Sequence, residues 1–247
     1  MNLEFLYQEL QHLHNPQKAK ILSGFFKTGK GDYGEGDLFL GIPVPKQRTL
    51  SKKYSTLTFS DLEKLLSNKI HEHRFTALLI LTSQYNKAND VKKEKIFQFY
   101  LKNIHSINNW DLVDLSAPLI VGNYLLHKDK KILYKLAQSQ KLWERRIAIV
   151  STLTFIRHNQ FKDTLKISEL LLKDTQDLLH KATGWMLREV GKKNEKTLEE
   201  FLNKHHHEMP RTMLRYTIER LTKEKKEYYM GKKIDSTRSL FLRRSTS

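Results

Sequence analysis

Helical segments that open on a basic or aromatic residue recur along this chain at a nearly constant interval, and that recurrence limits the available folds more than any single motif. Taking Arg74, Trp110, Arg146 and Lys181 as reference points, the spacings are 36, 36 and 35 residues. The flanking segments are alike: His73-Arg74-Phe75-Thr76-Ala77-Leu78-Leu79, Arg145-Arg146-Ile147-Ala148-Ile149-Val150 and His180-Lys181-Ala182-Thr183-Gly184-Trp185-Met186, with a weaker copy at Pro210-Arg211-Thr212-Met213-Leu214-Arg215-Tyr216. About 35 residues hold two helices and their turns. Such a pair cannot bury its apolar face alone, so pairs stack, and equivalent positions of successive second helices line one wall.

The expected fold is therefore all-α: a single-domain α-solenoid of HEAT-like repeats over residues 1–230, followed by a basic, poorly ordered tail over 231–247. Its concave wall would carry Arg74, Trp110, Asp114, Arg146, Lys181, Trp185 and Arg211. The rest of the pattern agrees. Leu3, Leu6, Tyr7, Leu10 and Leu13 have helical spacing, Asn15-Pro16 ends that helix, and a second runs from Gln17 to about Phe26. Gly29 to Asp37 reads as a glycine-rich surface loop or as one that follows a nucleic-acid backbone; no Gly-Lys-Ser/Thr opens a helix there, so it is not a phosphate-binding P-loop. Phe39 to Pro45 is apolar and extended, because a residue before proline is pushed out of the helical region. From Thr222 onward the chain turns polar and basic, and Ser236 to Ser247 has no sustained period.

Charge narrows the function. Lysine and arginine number 44 against 27 acids, a net charge of +17, which favours a polyanionic partner such as nucleic acid. There is no cysteine, so disulfides, iron–sulfur clusters and cysteine-bound zinc are ruled out. The N-terminus lacks the pattern of a signal peptide, and the apolar stretch Leu115 to Leu126 is too short to span a bilayer. A soluble cytoplasmic protein is expected. His205-His206-His207, His71 and His73 read as solvated side chains, with no metal site.

Against this basic background, Asn108-Asn109-Trp110-Asp111-Leu112-Val113-Asp114 places a tryptophan and two carboxylates within five residues. On a helix Trp110 and Asp114 lie one turn apart on one face. Asn108 or Asn109 can cap that helix, and Asp111 suits the positive end of its dipole. Asp114 lies a turn deeper, among apolar neighbours. It is either half of an ordinary salt bridge or a functional carboxylate.

Four stretches together give the chain a resemblance to the AlkD-type DNA glycosylases, HEAT-like repeat proteins that excise alkylated bases. They are Phe39 to Arg48, Trp110 to Asp114, Leu142 to Ile149 and Lys181 to Glu189, in the family's order. The resemblance implies that Asp114 is the catalytic aspartate, Trp110 and Trp185 the active-site tryptophans, and Arg146 a phosphate-contacting arginine, with the adjacent Arg145 as the alternative. The expected DNA-binding set is Arg74, Arg145, Arg146, Lys181, Arg188 and Arg211. The chemistry implied is monofunctional hydrolysis of the N-glycosidic bond of cationic alkylpurines in duplex DNA, with no metal, cofactor or obligate protein partner and a monomeric protein. The family is known for leaving the base in the stack, which suits an open basic wall without a deep pocket. Two rivals remain, a noncatalytic DNA-binding solenoid and a protein-binding helical scaffold.

Overall fold

The computed structural model describes residues 2–231; the tail expected over 231–247 lies outside them except for Gly231. The described residues are all-helical, with one isolated parallel bridge between Leu38 and Ile70 and no strand. No helix among them is long and apolar enough to cross a membrane. The described residues divide into two compact units, 2–129 and 130–231.

The first unit begins with α1 (Leu3–His12) and α2 (Pro16–Phe25). Asn2 and Asn15 cap them by accepting from the amides of Phe5 and Lys18, and Pro16 fills a first-turn position where its missing N–H is harmless. The glycine-rich loop and the extended run through Phe39 lead into α3 (Val44–Lys53). Then come α4 (Phe59–Leu66), α5 (His71–Asn86) and α6 (Asp90–Lys102). α7 (Trp110–Ala117) continues through a π-helical turn, Pro118–Gly122, into α8 (Asn123–Leu125). Proline has no N–H to give the carbonyl four residues back, that of Asp114, and the ladder widens at that point.

α5 is the centre of this unit. Every residue from His71 to Thr82 is buried, so the helix has no solvated face on which to place its charges. Glu72 and Arg74 must then find partners inside the protein.

The second unit runs through α9 (Lys131–Ala137), α10 (Leu142–Ser151), α11 (Leu153–Arg157), α12 (Lys162–Leu170), α13 (Asp177–Lys193), α14 (Glu195–His205), α15 (Arg211–Ile218) and α16 (Lys223–Tyr229). In each unit the second helices of successive pairs pack together: α5 on α7, and α10 on α13 on α15. Gly184 makes the last approach possible, since a β-carbon there would lie 2.5 Å from the Met213 carbonyl oxygen. α16 gives helical order to the polar, basic stretch that begins at Thr222. Thr222 caps this helix, Tyr229 is buried against the α14–α15 core, and Lys225 pairs with Glu195 and Glu199.

Candidate active site

α7 is held at its first turn. Asn109 is fully buried, and its Oδ1 accepts from the Trp110 amide at 2.8 Å. Its Nδ2 and that of Asn108 donate to the two oxygens of Asp37, at 3.5 and 3.2 Å. Leu112, Val113 and Ala117 turn into the core. That leaves Trp110, Asp111, Asp114 and Leu115 on the opposite side, lining a cavity of about 610 Å³. Asp111 thus joins Asp114 on this face, three residues away.

The cavity walls are largely apolar and aromatic, built from α2, the extended segment, α3 and α5 as well as α7. Phe26 stacks between Trp110, at 5.3 Å, and Phe39, at 5.1 Å, and Phe39 stacks in turn on His71 at 4.8 Å. Phe25 meets Trp110 edge-on at 6.0 Å and stays mostly exposed. Phe25 and Phe26 were not among the candidates drawn from the sequence, where their adjacency was the only local signal.

A buried charge network lies behind this wall. Arg74 pairs with Asp37 at 2.7 Å, and His71 lies 3.5 Å from Asp37 through Nδ1 and 2.8 Å from Asp111 through Nε2. Burial opposes charge on His71, but hydrogen bonds to Asp111 and Asp37 raise its pKa above the ordinary histidine value. Burial likewise opposes ionisation of Asp37, and His71 and Arg74 overcome it, holding its pKa below the usual carboxylate range. With His71 protonated, two cations face two anions. Glu72, also buried, accepts from three consecutive amides, those of Leu40, Gly41 and Ile42, at 2.9, 2.7 and 3.2 Å. It fixes the extended segment against α5. Gly41, at φ +76°, has room for no side chain, since a β-carbon there would lie 2.4 Å from the Asn15 carbonyl oxygen and 2.6 Å from the Ala19 amide nitrogen.

Arg74 is therefore a correction. Expected on a DNA-facing wall, it is 4% exposed and committed to Asp37 and the Asn68 carbonyl. The glycine-rich loop lies mostly on the surface, as expected, but its last residue, Asp37, is the buried hub that ties α5 to the start of α7.

The remaining candidates lie in the second unit. Arg145 pairs with Asp174 at 2.6 Å, and Arg146, largely buried, donates to the Leu178 carbonyl at 2.6 Å. Lys181 pairs with Asp177 at 2.7 Å, Arg188 pairs with Glu219, and the exposed Arg211 lies 3.5 Å from the Met230 carbonyl. Trp185 is half-buried in a smaller cavity of about 360 Å³ with Arg157, Lys192 and Lys193. Among the described residues no group of three His, Asp or Glu side chains could hold a metal.

Comparison with known proteins agrees with this architecture. The sequence profile of a family described as DNA alkylation repair enzyme matches residues 6–221. A solved structure described as a predicted DNA alkylation repair enzyme from Enterococcus faecalis superposes with a TM-score of 0.65 at 20% identity, covering 85% of this chain and 97% of that one. At that identity the likeness shows the fold alone. No curated protein matches the chain.

Proposed function

Since the chain belongs to the DNA alkylation repair enzyme family, we propose that it is a monofunctional DNA glycosylase that hydrolyses the N-glycosidic bond of cationic alkylpurines in duplex DNA. The observation carrying this reading is the position of Asp114, one turn from Trp110 on the side of α7 that lines an aromatic cavity. A purine alkylated on a ring nitrogen is positively charged and leaves readily, so it needs little general acid. The need is for stabilisation of the oxocarbenium character growing on the deoxyribose, and for a water to capture it. A fixed carboxylate meets both needs, and Asp114 is assigned that role. Trp110 is assigned to the cationic sugar or base as an electron-rich face.

Duplex DNA is the assigned partner, bound through its phosphates by Arg145, Lys181, Arg188 and Arg211, and counterion release makes that binding weaken steeply with salt; Arg146, 5% exposed and bonded to the Leu178 carbonyl, leaves the set on the same ground as Arg74. The helical region over 1–230 is assigned as the DNA-binding domain, in a monomeric, cytoplasmic protein. No lysine occupies the nucleophile position, so strand cleavage is not expected to accompany base loss.

One observation favours a second reading. Phe26 stacks on Trp110, so part of the tryptophan serves the chain's own packing, as it would in a DNA-binding relative without catalysis.

Duplex DNA methylated at purines distinguishes the two readings. The glycosylase releases free alkylpurine, leaves abasic sites that break only on later alkali treatment, and gives no borohydride-trapped complex. Tight binding of the same duplex with no base released would leave the noncatalytic reading in its place.

A further inference from the structure

Asp114 stands one turn into a helix whose start is tied down by charge. From α5, His71 reaches α7 through Nε2, 2.8 Å from Asp111, and reaches the loop through Nδ1, 3.5 Å from Asp37. Asp37 in turn holds Asn108 and Asn109, and Asn109 caps α7. One imidazole therefore touches both attachments of the turn that begins at Trp110 and leads to Asp114. Arg74 is the other cation of the group, 2.7 Å from Asp37, and Glu72 beside it is taken up by three amides. Phe26 and Phe39 lie against the His71 ring at 5.0 and 4.8 Å, and its side chain is 4% exposed, so little water is at hand to replace a lost partner. Lys18, Arg48 and Asp114 are the remaining charged groups of the adjoining cavity.

Only the imidazolium suits both carboxylates, because a neutral ring carries a single N–H. If that proton stays on Nε2, the lone pair of Nδ1 faces Asp37. If it moves to Nδ1, the lone pair of Nε2 faces Asp111 at 2.8 Å. Either way one attachment turns into a repulsion, and the start of α7 is held less firmly. Given the glycosylase reading, on which this rests, we propose that His71, acting through Asp111 and Asp37, is a positioning residue for Asp114, and that excision falls as this imidazolium gives up its proton. A carboxylate set beside a growing cation is sensitive to such a release, since a misplacement of about 1 Å can lower a rate on the order of a hundredfold. Burial opposes the charge on His71, but Asp111 and Asp37 outweigh it and raise its pKa, so the fall lies above pH 6.5.

The test follows single-turnover excision of 7-methylguanine at saturating protein from acid to alkaline pH, using the full chain, His71→Gln and Asp111→Asn, with urea unfolding to show that each is folded throughout. Positioning predicts an alkaline fall in the parent. His71→Gln should lack that fall and be slower at acid pH by about tenfold or more, with duplex affinity within about threefold, as a displaced carboxylate requires. Asp111→Asn removes the bond that most favours the imidazolium, and should move the fall to lower pH. A residue with a merely structural role would leave all three profiles alike, so a fall shared unchanged by the three proteins overturns the proposal. Hydrogen exchange gives a readout that needs no excision. The Val113 amide donates to the Asn109 carbonyl at 3.2 Å; corrected for its intrinsic pH dependence, its exchange should quicken in the parent over the same alkaline range and be fast at every pH in His71→Gln. Exchange that follows His71 with no base released upholds the hold of His71 on α7 and refutes the glycosylase. Excision that is as fast in His71→Gln as in the parent refutes the positioning and leaves the glycosylase standing, and the absence of both signals refutes both.

Discussion

Removing the Glu72 carboxylate should loosen the cavity wall selectively, and the size of the effect follows from its three bonds. Its two oxygens accept from the amides of Leu40, Gly41 and Ile42, and the side chain is 1% exposed. Bonds to a charged acceptor contribute about 1.5–3 kcal/mol each, which for three gives a ceiling of roughly 4.5–9 kcal/mol. Water entering from the cavity can replace part of this, so Glu72→Ala should destabilise the first unit by about 3–5 kcal/mol, the range for a broken buried charged contact. Glu72→Gln keeps one acceptor oxygen but turns an amino group toward an amide donor, and should lose about 1–3 kcal/mol. Urea unfolding gives the total, and native-state hydrogen exchange localises it. The amides of Leu40, Gly41 and Ile42 should be among the slower ones in the parent and exchange about a hundredfold faster or more in Glu72→Ala, as a loss of that size requires. A loss below about 1 kcal/mol, or amides already unprotected in the parent, would refute the clamp.

Three further outcomes are expected. Arg74→Met leaves Asp37 buried without its closest cation and should destabilise by about 3–5 kcal/mol, while the salt dependence of DNA binding stays unchanged because Arg74 meets no phosphate; a reduced salt slope would return it to the DNA-binding set. Because the folded pKa of His71 is raised, its contribution is complete below the ordinary histidine value of 6.5 and fades as pH rises through the folded value. Asp37, with its pKa lowered, contributes above 3.8 and loses its effect as pH falls through its folded value, so unfolding free energy should peak between these limits, and His71→Gln should flatten the alkaline side in denaturant titrations. Gly184→Ala pushes a methyl group to 2.5 Å from the Met213 carbonyl, and should lower stability in thermal or urea unfolding by about 1–3 kcal/mol, as overpacking does.

Much of the helical framework was legible locally. The anchors Arg74, Trp110, Arg146 and Lys181 all fall within the first five residues of α5, α7, α10 and α13, and Asn15-Pro16, the extended run to Pro45 and Asn109 gave the boundaries through capping and proline sterics. The family profile supports the resemblance read from four separated stretches. Partners brought together from distant segments were not legible. Arg74 looked like a surface cation because its partner, Asp37, lies in a loop that composition alone makes solvent-exposed. Asp111 was read only as a partner of the helix dipole, although the three-residue step to Asp114 puts both acids on the cavity side. α16 was missed because Lys223 to Tyr229 offers little apolar periodicity, and what holds it is Tyr229 in the core and Lys225 between two glutamates. The cavity is assembled from five segments, so no window of sequence could display it.

The central claim is that Asp114 stabilises the transition state of glycosidic cleavage, and single-turnover excision of 7-methylguanine at saturating protein tests it most directly. Asparagine preserves the size and removes the charge. Asp114→Asn should bind the lesion duplex within about threefold of the parent yet excise at least about a hundredfold more slowly, the scale of losing one preorganised electrostatic contact. Equal excision rates for the two proteins would contradict the assignment.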